Sequence, residues 1–332
     1  LQSGGVNVLY SAPTFSINKL SNGMSDQEFQ LLIKNAEKPF FNRALQGRYP
    51  PASTIKPAIG MFGLANDIVD WEYQIKDPGF FTLPETGRIY RGWRKGGHGK
   101  VNMRKAILVS SNTYFFSLAY QSNINQLAQH LSSLGFGTKI CSDCFEEDKV
   151  FVPTPGWKYS MMNAGWVTGD TVNLGIGQGY LVTTPMQLAN YASILANKGK
   201  AIEPSLVVAG NQKKPFRTWK NEGFANLDWE KMHEALTGVI ESDFGTARSI
   251  RSLKTFQVAG KSGTAELVSL DSKEAYQEVR NSELLRDHSI IIAFGPMPNP
   301  KYAVSVVIEN GESGGAVAGP VAIEVLKSLI DE

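Results

Sequence analysis

The chain has 332 residues, 42% of them hydrophobic and 19% charged, which suits a globular fold of one large or two ordinary domains and excludes a disordered chain. Thirty-three basic residues against 31 acidic ones leave a net charge of +2, so there is no basic field to recruit nucleic acid. No run approaches the ~20 apolar residues of a membrane span, and Leu1 to Gly5 lacks the regions of a signal peptide. The abrupt start reads as a fragment of a longer protein.

In chain order, Gly5 to Tyr10 alternates like a strand, and Ser25 to Asn35 reads as a helix with Ser25 and Glu28 forming a capping box. Gly47 to Pro51 is a turn cluster, followed by a helix over Ser53 to Leu64. Asp77 to Gly99, rich in Gly, Pro and aromatics, reads as a long loop. Val101 to Tyr120 and Ile124 to Leu134 read as helices, and Cys141 to Asp170 as irregular. Thr184-Pro185 opens a helix reaching Lys198, since threonine caps and proline suits the first helical position. A helix over Leu227 to Glu241 precedes three β-rich runs, Phe256 to Leu270, Ser289 to Pro296 and Ala303 to Glu309. Ala316 to Asp331 closes the chain as a helix. Helices in the middle and strands near both ends predict a single α+β domain over 1–332, with an antiparallel sheet built from the chain's two ends and a helical part around 60–200.

Three short motifs carry the chemistry. Ser53-Thr54-Ile55-Lys56 is an S-x-x-K at a helix start. Residues three apart share a helix face, so Lys56 can take the proton that keeps the Ser53 hydroxyl a poor nucleophile, provided burial or a nearby cation lowers its pKa. Ser110-Ser111-Asn112 is an S-x-N where one helix gives way to the next. Ser110 can relay a proton between lysines and a leaving amine, and Asn112 can orient a substrate amide. Lys261-Ser262-Gly263-Thr264 lies within a strand-like run. Lys261 and the hydroxyls of Ser262 and Thr264 suit a substrate carboxylate, and Gly263 lets a substrate backbone lie close to the strand. The Thr264 N–H would join that of Ser53 in an oxyanion hole. Each motif alone is weak, but S-x-x-K, S-x-N and K-S/T-G in this order are the signature of serine β-lactamases and penicillin-binding proteins.

The chain resembles the transpeptidase domain of class B penicillin-binding proteins, and most closely the elongation type, penicillin-binding protein 2. The resemblance rests on Asn42-Arg43-Ala44, on Tyr49 to Pro57, on Tyr90-Arg91-Gly92-Trp93 through Gly97-His98-Gly99, and on Ser110 to Phe116. It continues through Gly175-Ile176-Gly177-Gln178-Gly179-Tyr180, Thr183 to Gln187, Leu285 to His288 and Phe294-Gly295-Pro296. It implies an α/β transpeptidase fold: a central antiparallel sheet of five strands flanked by helices, plus an all-helical subdomain. It also implies an upstream membrane anchor and pedestal, absent from this chain, and a place on the periplasmic side of the bacterial inner membrane. The expected substrates are peptidoglycan stem peptides and β-lactam antibiotics. In the parent protein a membrane glycosyltransferase and elongation-complex proteins are the expected partners. No cofactor is implied.

Some members of that family hold zinc near the second motif. This chain keeps Asp77 and His98 but has Gly92 and Ile107 where further ligands would fall, so no metal is expected. Cys141 and Cys144 have no counterpart in the resemblance and read as a local turn with either a short disulfide or two free thiols. His98 reads as a loop histidine bonded to backbone, and Gly175 to Gly179 as a tight turn supporting the site. The alternatives are a serine β-lactamase, which needs a water-activating carboxylate for deacylation, and a β-lactam-sensing domain. No glutamate in the 148-residue interval between Asn112 and Lys261 stands in a recognisable deacylation motif.

Overall fold

A computed structural model describes residues 1–207, 224, 227–267 and 283–331. Helices α1 (Ile17–Asn22), α2 (Asp26–Ile33) and α3 (Arg43–Gln46) lead to the buried helix α4 (Lys56–Ala65). Two ribbons follow: β1 (Ile75–Asp77) pairs with β4 (Gly99–Val101), and β2 (Phe80–Thr82) with β3 (Ile89–Arg91). Then come α5 (Met103–Leu108), α6 (Asn112–Tyr120), α7 (Ile124–Ser133), α8 (Pro155–Met162), α9 (Thr168–Leu174), α10 (Pro185–Ala196) and α11 (Trp229–Glu241). Strands β5 (Ala259–Ala265), β6 (His288–Gly295) and β7 (Tyr302–Ile308) form an antiparallel sheet in that order, and α12 (Gly319–Asp331) ends the described chain.

The capping signals act as read. Ser25 and Glu28 close a reciprocal box at α2, and Thr184 caps α10, where the structure adds a return bond from Gln187. Helix α4 is buried at every position from Lys56 to Gly63, as expected of a helix that is apolar all round. Strand β6 is buried from Ser289 to Gly295, which explains its unbroken apolar run. Helices α10 and α12 pack on β6 and β7, and α11 packs on β5. One apolar core runs from α4, α6 and α7 through α10 and α11 to the sheet.

Several sequence expectations change. Gly5 to Tyr10 is not a strand. Gly5 makes an isolated bridge to Ser205, and Val8, Leu9 and Tyr10 are exposed, with no strand among the described residues beside them to complete a ladder. Among the described residues the central sheet therefore has three strands, all from the C-terminal part, where the resemblance implies five and a contribution from the other end. The loop over Asp77 to Gly99 contains the β2–β3 ribbon and is closed at its base by the β1–β4 pair, with Gly79, Gly87, Gly96 and Gly97 at positive φ between the strands. The helix over Val101 to Tyr120 is broken at Ser110, which takes φ 55°. The irregular stretch Cys141 to Asp170 holds α8 and the start of α9. The end of the run Phe256 to Leu270 lies outside the described residues.

Candidate active site

The nucleophile turn is assembled from three directions. Ser53 sits in a 3₁₀ turn, Ala52–Ile55, that feeds directly into α4. Ala52 has φ 49°, an uncommon conformation for a residue with a Cβ. Its N–H donates to the Gly177 carbonyl at 2.9 Å. Gly177, at φ 73°, leaves no room for a side chain: a Cβ there would come within 2.2 Å of the Ala52 oxygen. The glycine turn after α9 thus props the nucleophile. From the other side, Gly263 of β5 lies against it, with a Cβ position 3.1 Å from Thr54 Cγ2 and 3.2 Å from the Pro51 oxygen. The small residue in the third motif therefore makes room for the nucleophile turn, a constraint separate from the expected approach of a substrate backbone.

The lysines point into the interior. Lys56 is fully buried and donates to the Ser110 carbonyl at 2.9 Å, Ser110 Oγ at 3.1 Å and Asn112 Oδ1 at 2.6 Å. Lys261, also fully buried, donates to Ser110 Oγ at 3.0 Å and to the Ser262 carbonyl at 3.0 Å. Ser110 Oγ thus accepts from both ammonium groups. With both acceptor sites of the hydroxyl used, its own proton is free to be donated. The break in the helix at Ser110 is what lets Ser110 and Asn112 both face Lys56.

Burial pushes the Lys56 pKa well below the ordinary lysine value; the Lys261 charge adds to the fall and the Asp77 carboxylate opposes it. Burial lowers Lys261 to about 7. Ammonium groups moved out of water lose their protons more easily, so neutral amine is available here near neutral pH. The backbone N–H of Lys56 donates to the Ser53 carbonyl, but the bonds of its Nζ run to Ser110 and Asn112 rather than to Ser53 Oγ. The lysine is held by the second motif instead, in keeping with the loose catalytic contacts common in unliganded sites.

The outer part of β5 carries hydroxyls. Ser262 and Thr264 lie on one face of the strand because side chains alternate with period two. Ser262 Oγ is 2.8 Å from Thr246 Oγ1, and the Thr264 carbonyl accepts from Gln178 Nε2 at 3.4 Å. Lys261 is turned toward Ser110.

Three residues outside the motifs belong to this site. Asp77, buried at the end of β1, accepts from Ser111 Oγ at 2.6 Å and from the Gly79 N–H at 2.8 Å. Trp93 Nε1 donates to the Ser110 carbonyl at 3.1 Å. Thr246 follows α11. Nothing in their sequence spacing points to these contacts, because each arrives from a separate segment. His98 stacks obliquely on Trp93 with ring centres 5.3 Å apart, and its N–H donates to the Asp77 carbonyl. Among the described residues the one group of three metal-capable side chains is Cys141, Asp143 and Cys144, away from Asp77 and His98. Cys141 and Cys144 are joined in a disulfide, so neither is a thiolate ligand.

Residues 1–327 match the penicillin binding protein transpeptidase domain. The peptidoglycan D,D-transpeptidase MrdA of Acinetobacter baumannii is 41% identical over 96% of this chain and 48% of its own length. The Escherichia coli K12 protein of the same name is 34% identical over 95% of this chain and 51% of its own length. The crystal structure of Pseudomonas aeruginosa PBP2 in complex with WCK 5153 superposes with a TM-score of 0.80 at 34% identity, covering 93% of this chain and 65% of that one. Helicobacter pylori PBP2, in its complex with MreC, gives a TM-score of 0.86 at 28% identity, covering 97% of this chain and 57% of that one. This chain spans about half the length of the curated relatives it matches. Matched along almost its whole length, and with the three motifs converging on one pair of buried lysines, the chain belongs to the penicillin-binding protein transpeptidase domain family.

Proposed function

We propose that the chain is the D,D-transpeptidase unit of an elongation-type peptidoglycan synthase, acting on stem peptides through a Ser53 acyl-enzyme and trapped there by β-lactams. The observation that carries the reading is the bridge of Ser110 Oγ between Lys56 and Lys261. Ser53 Oγ attacks the carbonyl of the penultimate D-alanine, and its proton passes to neutral Lys56. The Thr264 N–H and C=O of a strand residue face the same way, and the C=O faces Gln178. That N–H is therefore directed at the free edge of β5, where with the Ser53 N–H it stabilises the developing oxyanion. Ser110 gives its proton to the departing amine of D-alanine and recovers one from Lys56. The C–N bond breaks and the ester remains. An amine of a second stem peptide then attacks the ester, passing its proton back through the same groups, and Ser53 is released.

The relatives' names support the substrate class, and the Helicobacter pylori complex with MreC supports partners of the elongation-complex kind, acting through a parent protein anchored at the periplasmic face of the inner membrane. The test is intact mass after brief exposure to benzylpenicillin. One stable adduct mapping to Ser53, lost in a folded Ser53→Ala variant, is the expected result. Labelling that persists in that variant refutes the assignment.

A further inference from the structure

We propose that Thr246 is a positioning residue for carboxylate recognition, setting the Ser262 hydroxyl to donate to the terminal carboxylate of the donor peptide or of a β-lactam; this rests on the transpeptidase reading above. The starting point is where the positive charge goes. Lys261 is fully buried, and its ammonium is engaged by Ser110 Oγ and the Ser262 carbonyl. The polar side chains on the opposite face of β5 from Lys261 are hydroxyls: Ser262, buried against Thr246, and Thr264, exposed. A hydroxyl carries one proton and rotates freely unless a partner fixes it. Ser262 Oγ has such a partner, Thr246 Oγ1 at 2.8 Å.

Thr246 is itself held rigidly. The N–H of Ala247 donates to the Val239 carbonyl at 3.0 Å, and the N–H of Gly245 to the Ser242 carbonyl at 3.0 Å. A side chain at Gly245 would meet the Val239 oxygen at 2.3 Å, and one at Gly315 would meet the Thr246 oxygen at 2.7 Å. Two glycines therefore let the end of α11 and the turn before α12 close on this residue's backbone. When an anion arrives beside β5, the favourable proton order is fixed: Thr246 donates to Ser262 Oγ, and Ser262 donates to the carboxylate. Each bond polarises the next, and a hydrogen bond to a charged acceptor is stronger than one between neutral groups. With an uncharged ester in place of the carboxylate, that gain is lost.

The experiment compares second-order acylation by benzylpenicillin and by its methyl ester, read by intact mass, in wild type, Thr246→Val and Thr246→Ser. Valine keeps the shape and removes the hydroxyl. The expected result is a ~10-fold loss with benzylpenicillin in Thr246→Val, little change with the ester, and wild-type behaviour in Thr246→Ser. The preference for acid over ester then shrinks by about the same ~10-fold factor. An equal loss on both compounds makes Thr246 a mere structural support and overturns the proposal, as does no loss on either. A wild-type protein inert to both compounds overturns the transpeptidase reading itself, and this inference with it.

Discussion

Gly177→Ala tests whether the glycine turn holds the nucleophile in place. Two effects add. An alanine at φ 73° costs ~1–2 kcal/mol relative to glycine. Its Cβ would also lie 2.2 Å from the Ala52 oxygen and 2.8 Å from the Ala52 nitrogen, so the two backbones must part by ~1 Å to reach ordinary contact distance. That parting breaks the hydrogen bond from Ala52 to Gly177, worth a further ~1 kcal/mol. The fold loses ~2–3 kcal/mol, a fraction of the usual stability of a domain. The larger effect falls on chemistry, because Ser53 follows Ala52 directly and a ~1 Å misplacement can cost ~10²-fold in rate. Gly179→Ala is the internal control. It has φ 81° and so the same conformational cost, but its Cβ would meet Asn173 Cβ at an ordinary 3.4 Å. Time courses of labelling by a fluorescent penicillin, alongside thermal melts, should show acylation ~10²-fold slower in Gly177→Ala and within a few-fold of wild type in Gly179→Ala. Equal rates in the two variants would refute the argument from close approach.

Lys56→Ala should slow acylation by ~10²–10⁴-fold by removing the general base; a rate within a few-fold of wild type would route the proton elsewhere. Acylation should rise with pH through an inflection well below the ordinary lysine value, because Lys56 must be neutral to take the Ser53 proton and burial lowers its pKa; a single inflection near the ordinary lysine value would contradict this. Burial likewise lowers Lys261 to about 7. The same shift acts on stability. Between about 7 and the ordinary value of 10.5 the unfolded chain binds the extra proton, so unfolding free energy should rise with pH across that window relative to Lys261→Met. The penicillin adduct should outlast hours with no catalytic loss of nitrocefin; rapid turnover, lost in Ser53→Ala, would favour the β-lactamase alternative.

The three motifs were legible in the sequence because acyl transfer needs a nucleophile, a base and a relay of definite chemical types. The caps of α2 and α10 were legible because Ser25, Glu28 and Thr184 act within one turn, while the return bond from Gln187 that completes the second box was not read. What escaped was set by distant contacts. Ser110 breaks its helix in a left-handed conformation with no glycine or proline to announce it. The short strands β1 to β4 have too few residues for an alternating pattern. Gly5 to Tyr10 alternates well, yet among the described residues it has no neighbour beyond the single bridge of Gly5 to Ser205. The contact of Lys261 with Ser110 leaves no trace in their spacing, because the two are 151 residues apart. The disulfide closed the alternatives left open at Cys141 and Cys144.

The meeting of Lys56, Ser110 and Lys261 has a consequence in time. Lys56 and Ser110 are 54 residues apart in sequence, and Ser110 and Lys261 are 151 apart. At ~5–20 residues per second a ribosome needs roughly 8–30 s to make the longer interval. Ser53 thus emerges long before the lysine and strand that complete its surroundings. An incomplete chain carries an ordinary, unreactive serine, and covalent penicillin labelling becomes a clock for the last stage of maturation.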